Sequence, residues 1–265
     1  MDVRSKLKQA EKIVIKVGTS SLTYSNGKLN LERIERLARV LSDLNNQDKK
    51  IVLVSSGAIG VGVERLGLNR TEVTLPEKQA SASVGQAILM KIYQKFFEEY
   101  NTPVSQILLT KDVMDGGIRK ENAQNTFNTL LDMGVIPIVN ENDTISTFEI
   151  EFGDNDTLSA TVASLVGADL LILLTDIDGL FTADPRKDKN AEIISVVEEI
   201  NEEIDSAADG AGSKLGTGGM VTKISAAKIC CSYGIDTVIA NGEDPKIIYD
   251  ILDAKEIGTL FLSGK

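Results

Sequence analysis

A chain of 265 residues, 42% apolar and 25% charged, is long enough for one large α/β domain or two lobes sharing a sheet, and too apolar for disorder. Its formal net charge of −11 repels phosphodiester backbones, so nucleic acid is not an expected partner. The absence of histidine excludes Ser-His-Asp and Cys-His nucleophiles, histidine general acid–base catalysis and His-ligated zinc. Chemistry is left to Lys, Arg, carboxylates, hydroxyls, backbone amides or a bound hard cation.

The N-terminus, Met-Asp-Val-Arg-Ser-Lys-Leu-Lys, carries charge and no apolar core of a signal peptide. No segment has the roughly 20 apolar residues needed to cross a membrane. Cys230 and Cys231 are adjacent within an apparent helix, poorly placed to bridge each other, and read as core thiols in a reducing compartment. A cytoplasmic protein is expected.

The first element, Lys12 to Gly18, is a β-branched strand that carries Lys16 to a Gly-Thr-Ser turn. Lysine in a buried strand needs an anionic partner; the alternative is an edge strand with Lys16 reaching water. Apolar residues at Leu31, Ile34, Leu37, Ala38, Leu41 and Leu44 have helical spacing, with Asn30 as N-cap. A second strand, 51–55, runs into Ser56-Gly57 and a helix. There Ser56 and the Gly57 amide could cap a carboxylate or phosphate, or simply form a tight turn. Thr74 and Pro76 start a long helix to about Tyr100. A third strand spans 103–109, a Gly116-Gly117 loop follows, and a helix runs from about Lys120 to Met133.

The fourth strand, 134–139, delivers a stretch from Asn140 to Asp156 that holds Glu141, Asp143, Glu149, Glu151, Asp154 and Asp156 with no Lys or Arg. Within it, 147–152 alternates polar and apolar like a half-buried hairpin strand. Such a patch can hold an ammonium group or a metal that carries phosphates, or it can be a solvated acidic hairpin. A helix then reaches about Val166, and an apolar central strand, 169–175, ends in Thr175-Asp176. Residues 207–219 have the composition of a mobile flap.

Leu215-Gly-Thr-Gly-Gly-Met-Val-Thr-Lys223 opens a helix to about Tyr233. Its glycines let N–H groups approach an anion at a helix N-terminus. Lys223 stands in the first turn, where the macrodipole disfavours a cation unless an anion lies between. The loop lacks the Walker A spacing, and Val221 stands where the third small residue of a dinucleotide fingerprint belongs. Strands 236–240 and 258–262 flank a last helix. Alternating strands and helices predict an α/β fold: a three-layer α/β/α sandwich with a largely parallel central sheet. Its strand ends gather the lysines, the acidic stretch and the glycine loop along one edge.

Lys16-Val-Gly-Thr-Ser20, Ser55-Ser-Gly-Ala-Ile59, Ile138-Val-Asn-Glu-Asn-Asp143, Phe152-Gly-Asp-Asn-Asp156, Leu174-Thr-Asp176 and Gly216-Thr-Gly-Gly-Met-Val-Thr-Lys223 together resemble the amino acid kinase family across the whole chain. The Asn-Glu-Asn-Asp and Gly-Asp-Asn-Asp pieces are similar to its glutamate-phosphorylating branch. Acetylglutamate, aspartate, carbamate and uridylate kinases share mainly the lysine strand and the sheet.

The resemblance implies ATP-dependent phosphorylation of the γ-carboxylate of L-glutamate, with Mg²⁺ on the nucleotide, as the first step of proline biosynthesis. It implies Lys16 and Lys223 beside the transferring phosphoryl group, with Asp156 orienting them. Ser56, Gly57, Asn140, Asp143, Asp154 and Asn155 would hold the amino acid. Lys16, Gly18, Thr175, Asp176 and the run Thr217, Gly218, Gly219, Met220, Val221, Thr222 and Lys223 would hold ATP. An amino-acid lobe over about 1–167, a nucleotide lobe over about 168–265, proline as feedback inhibitor and a homo-oligomer are further expectations. Many bacterial members carry a C-terminal PUA domain, and this chain resembles the short form without it. Two alternatives stay open: a sibling kinase for acetylglutamate or aspartate, and a non-catalytic nucleotide or amino-acid sensor.

Overall fold

The computed structural model describes residues 3–24, 26–110, 113, 116–146, 155–185, 187–202, 204–205 and 219–264. The 147–152 hairpin, the flap (but for Gly219), Asp154, Thr217 and Gly218 lie outside the described residues.

Eight strands form one sheet: β1 (Lys12–Val17), β2 (Lys50–Ser55), β3 (Val104–Leu109), β4 (Ile136–Glu141), β5 (Leu170–Thr175), β6 (Val196–Val197), β7 (Asp236–Asn241) and β8 (Thr259–Phe261), in the order β3-β4-β2-β1-β5-β7-β8-β6. All neighbours pair in parallel except β7 with β8. Among the described residues the helices are α1 (Thr19–Leu22), α2 (Leu31–Asn46), α3 (Ala58–Leu66), α4 (Leu75–Glu98), α5 (Gly117–Asp132), α6 (Asp156–Val166), α7 (Met220–Ser232) and α8 (Ile247–Leu252). A 3-10 helix (Val3–Gln9) precedes them.

Side chains alternate across a strand, and here both faces are apolar, as a sheet covered twice requires. Ile13, Ile15, Ile51, Leu53 and Ile172 pack with α2, α4 and α8, whereas Val14, Val52, Val54, Leu171 and Leu173 pack with α5, α6 and α7. Three layers result, as expected. β1 lies between β2 and β5, so the edge-strand alternative for Lys16 is overturned. Register aligns Val17 with Ser55 and Leu174, and Thr175 with Asn241. The C-terminal strand ends therefore form one rim, where parallel sheets place ligands.

Local rules explain most element boundaries. Asn30 accepts from the Arg33 amide at the start of α2, and Thr74 with Glu77 forms the capping box of α4. Several boundaries shift by one to three residues from the sequence reading. α5 starts at Gly117 rather than about Lys120. β4 continues two residues past Val139, because Leu108 and Leu109 of β3 stay in register with Asn140 and Glu141. That pairing fixes the backbone of Asn140.

α3 and α4 touch backbone to backbone. A Cβ on Gly85 would stand 1.8 Å from the Ala58 carbonyl oxygen, and one on Gly62 would stand 1.8 Å from that of Ser81. Only glycine permits this approach. It ties α4 to the helix that leaves β2 at Ser56-Gly57.

Candidate active site

Lys16 lies on the same face of β1 as Val14, facing α6 and α7. Its Nζ is 2.6 Å from Oδ1 of Asp156, the first residue of α6. Lys223, in the first turn of α7, places Nζ 3.1 Å from Asp156 Oδ2. The Thr222 hydroxyl lies 2.9 Å from the same oxygen and 2.8 Å from the Gly219 carbonyl, its one proton shared between the two acceptors. Asp156 is fully buried, and Lys16 and Lys223 are 6% and 5% exposed. A carboxylate this deep is held by its charge partners and by its place at a helix N-terminus. Two cations thus converge on one anion at the rim. That arrangement can present positive charge to a phosphoryl group from two sides while staying ordered without it.

One residue back, Asn155 is also fully buried. Its Nδ2 donates to the Ser55 carbonyl at 2.8 Å, to Asn140 Oδ1 at 2.7 Å and more weakly to Ser56 Oγ at 3.1 Å. Asn140 in turn donates to Gln86 Oε1 at 3.0 Å, and Ser55 Oγ shares a hydrogen bond with the Tyr93 hydroxyl at 2.9 Å. Gly57, with φ of 94°, turns the chain from β2 into α3 in the left-handed region that favours glycine. Among the described residues, Asn155 Oδ1 and Asp143 Oδ1 are buried with no hydrogen-bond partner. Buried acceptors of this kind call for a donor.

Asp143 is 3% exposed and borders a cavity of about 160 Å³ walled by Ser83, Gln86, Gln106 and Glu141, among others. Burial, with Glu141 adding repulsion, pushes its carboxyl up to about 7. A cationic ligand group in the cavity would reverse both effects.

The structure brings Lys16, Lys223 and Thr222 onto Asp156, and Ser56 and Asn140 onto the adjoining Asn155, while Asp143 stands in the cavity wall with Gln86, the partner of Asn140. Gly18 abuts the lysine, since a Cβ there would lie 3.9 Å from Lys16 Nζ. Thr175 and Asp176 sit at the end of β5, one strand over, bonded to each other at 3.1 Å. Gly219 is the extended N-cap of α7. Met220 is buried in the second core while Val221 is exposed, so Met220 has only backbone to offer a ligand. Among the described residues, no group of three or more Asp, Glu, His or Cys side chains could hold a metal. A Mg²⁺ that keeps most of its waters and rides on phosphates needs no such cage. Gln86, Tyr93 and Ser55 were missed in the sequence. Helical spacing on α4 gives Gln86 and Tyr93 a common face (i, i+7), but no sequence signal pairs that face with Asn140 and Ser55.

The sequence model of the amino acid kinase family matches residues 11–241. The chain belongs to the amino acid kinase family. Among family members, it is 56% identical to Glutamate 5-kinase of Clostridium perfringens, over 99% of each chain. It is 53% identical to Glutamate 5-kinase of Listeria monocytogenes (99% of this chain, 97% of the relative) and 55% identical to that of Clostridium acetobutylicum (99% and 98%). Solved amino acid kinase folds are similar at lower identity. UMP kinase from Bacillus anthracis superposes with a TM-score of 0.62 at 16% identity, covering 97% of both chains. UMP kinase from Ureaplasma parvum gives 0.64 at 15%, covering 95% of this chain and 98% of the other.

Proposed function

We propose that this amino acid kinase transfers the γ-phosphoryl group of ATP to the γ-carboxylate of L-glutamate, giving L-glutamyl 5-phosphate and ADP, the first step of proline biosynthesis. One observation carries the reading: the buried Lys16–Asp156–Lys223 cluster is continued by Asn155, which bonds Asn140, and Asn140 bonds Gln86 in the wall of the cavity that the buried carboxylate of Asp143 borders. The glutamate 5-kinase relatives support the same substrate.

The step needs no general base, because a γ-carboxylate is already ionised at neutral pH. A carboxylate oxygen forms the new P–O bond as the β,γ-bridging P–O bond breaks and its electrons leave on ADP. Catalysis is alignment plus stabilisation of charge on the phosphoryl oxygens. Lys16 and Lys223 supply that charge, and Asp156 keeps them apart and aimed. Mg²⁺ bound to ATP neutralises phosphate charge. Asp143 pairs with the substrate ammonium, and Asn155, Asn140, Ser56 and the Gly57 amide orient the amino acid. Thr175, Asp176 and the start of α7 serve ATP, with Gly18, Thr217 and Gly218. The chain divides functionally near residue 167, with the amino acid on the N-terminal side and most of the nucleotide contacts, Lys16 and Gly18 apart, on the other.

Three further readings go with this function. Proline, with an amine and carboxylate of the same kind, competes for the Asp143 cavity as a feedback inhibitor. A homo-oligomer is a second such reading. Among the described residues no helix is long and apolar enough to cross a membrane. Together with the free Cys230 and Cys231, this supports a cytoplasmic location.

The test is ADP release by the purified chain with Mg-ATP and L-glutamate, N-acetyl-L-glutamate or L-aspartate, with hydroxylamine to trap the acyl phosphate. Glutamate-dependent ADP release with matching hydroxamate is the expected result. Turnover only with another acid overturns the substrate, and ATP binding without turnover favours a sensor.

A further inference from the structure

A side-chain amide has a donor end and an acceptor end, so a row of amides has a polarity. In this site the polarity is dictated from the backbone. The Ser55 carbonyl can only accept, and Asn155 therefore turns Nδ2 toward it. The same Nδ2 meets Asn140, which must then present Oδ1. Asn140 is left with Nδ2 facing α4, where Gln86 receives it through Oε1 at 3.0 Å. Gln86 is thus the terminal acceptor of the row. The other consequence falls on Asn155, whose Oδ1 is turned away from the row, buried and unpartnered.

Gln86 is well placed to hold this arrangement still. It lies mid-way along α4, which is pinned against α3 by the Gly62 and Gly85 contacts. Its neighbours Ala82 and Ser83 wall the Asp143 cavity with it. Tyr93, two turns on, holds Ser55 by its hydroxyl, so one helix steadies two of the three residues that receive Asn155 Nδ2.

We infer that Gln86 is a positioning residue for the amino-acid substrate: by accepting from Asn140 it holds Asn140 Oδ1 against Asn155 Nδ2, and so steadies the polarity, set by the Ser55 carbonyl, that leaves Asn155 Oδ1 to accept the substrate ammonium. The inference rests on glutamate being that substrate. Without the Gln86 acceptor, Asn140 can rotate its amide, Asn155 loses a partner, and the acceptor for the ligand is no longer held. Binding of the amino acid weakens while phosphoryl transfer, which runs through Lys16 and Lys223, does not.

Steady-state kinetics of the full chain, with glutamate and ATP varied separately, tests this with Gln86→Met and Gln86→Glu. Gln86→Met keeps length and removes the acceptor. It should raise KM for L-glutamate about tenfold, the size of one lost polar partner, with kcat and KM for ATP near the wild-type values. Gln86→Glu retains an oxygen for Asn140 and should restore most of the affinity. Should Gln86→Met not fold, Gln86→Ala carries the same expectation. An unchanged glutamate KM, a fall confined to kcat, or Gln86→Glu as impaired as Gln86→Met overturns the role of Gln86 and leaves the substrate standing. Wild-type protein with no glutamate turnover overturns the substrate reading itself, and this inference with it.

Discussion

Lys16 on β1 and Lys223 on α7 grip different oxygens of the same carboxylate, Asp156, at 2.6 Å and 3.1 Å. In the proposed transfer, removing one lysine strips charge from one side of the phosphoryl group and leaves the other in place. Lys223→Ala should lower kcat by at least about 10²-fold, the usual effect of losing one electrostatic donor in a buried site. A purified variant with near-normal kcat at saturating ATP and glutamate would contradict the role.

Asp156→Ala is expected to act on stability as well as rate. It removes the carboxylate that two nearly buried ammonium groups share. Breaking a buried ion pair from one side costs about 3–5 kcal/mol, which denaturant unfolding would read directly. A loss below about 1 kcal/mol, the level of an exposed pair, would mean that water already screens the cluster.

Asp143 sets a pH dependence. With its carboxyl pushed up to about 7, it is mostly neutral at pH 6 and cannot pair with an ammonium. kcat/KM for glutamate should fall as pH drops below about 7, approaching tenfold per unit, and Asp143→Asn should remove that limb and leave a low, flat profile. Stability of the free protein runs the other way. The folded state holds this proton more tightly than the unfolded chain, so the contribution is full below the ordinary aspartate pKa and is lost as pH rises through about 7. Glutamate should therefore raise the melting temperature more at pH 8 than at pH 6. Equal shifts at both would remove Asp143 from the ammonium site.

Gly85→Ala tests the contact between α3 and α4. The new Cβ would meet the Ala58 carbonyl oxygen at 1.8 Å and the Gly62 nitrogen at 2.7 Å, both backbone atoms that cannot swing aside. Overpacking of this kind costs roughly 2–3 kcal/mol. Because α3 begins where Ser56-Gly57 ends, glutamate KM should rise too. A chemical melt matching wild type would show that the helices are less tightly joined.

Most of the sheet was legible because its strands are short apolar runs closed by Gly, Ser or Thr, and parallel sheets put such ends on one rim. Lys16 could be read as needing an anion, since a lysine inside a central strand has few other options. Its partner could be named only by resemblance, because 140 positions separate Lys16 from Asp156 and no periodicity spans that distance. Gln86 and Tyr93 stayed hidden for a related reason. On α4 they look like ordinary half-apolar helix positions, and only the packing of that helix against β2 and β4 gives them polar partners. The N-terminal 3-10 helix was equally silent, although Arg4 is 3% exposed and bonds the Ile257 carbonyl at 2.7 Å. That bond joins the two ends of the chain and has no local signature.

The placement of β1 between β2 and β5 also bears on when activity can arise during synthesis. Lys16 emerges early, but its anion is at 156 and its companion lysine at 223, each on a helix that must dock on a sheet whose central pairing is not local. Closing such long loops is slow relative to forming hairpins or single helices. A chain still short of Lys223 holds an incomplete cluster, however well its first half has folded. Phosphoryl transfer is therefore a late reporter in refolding: recovery of ADP release should lag the recovery of helical circular dichroism.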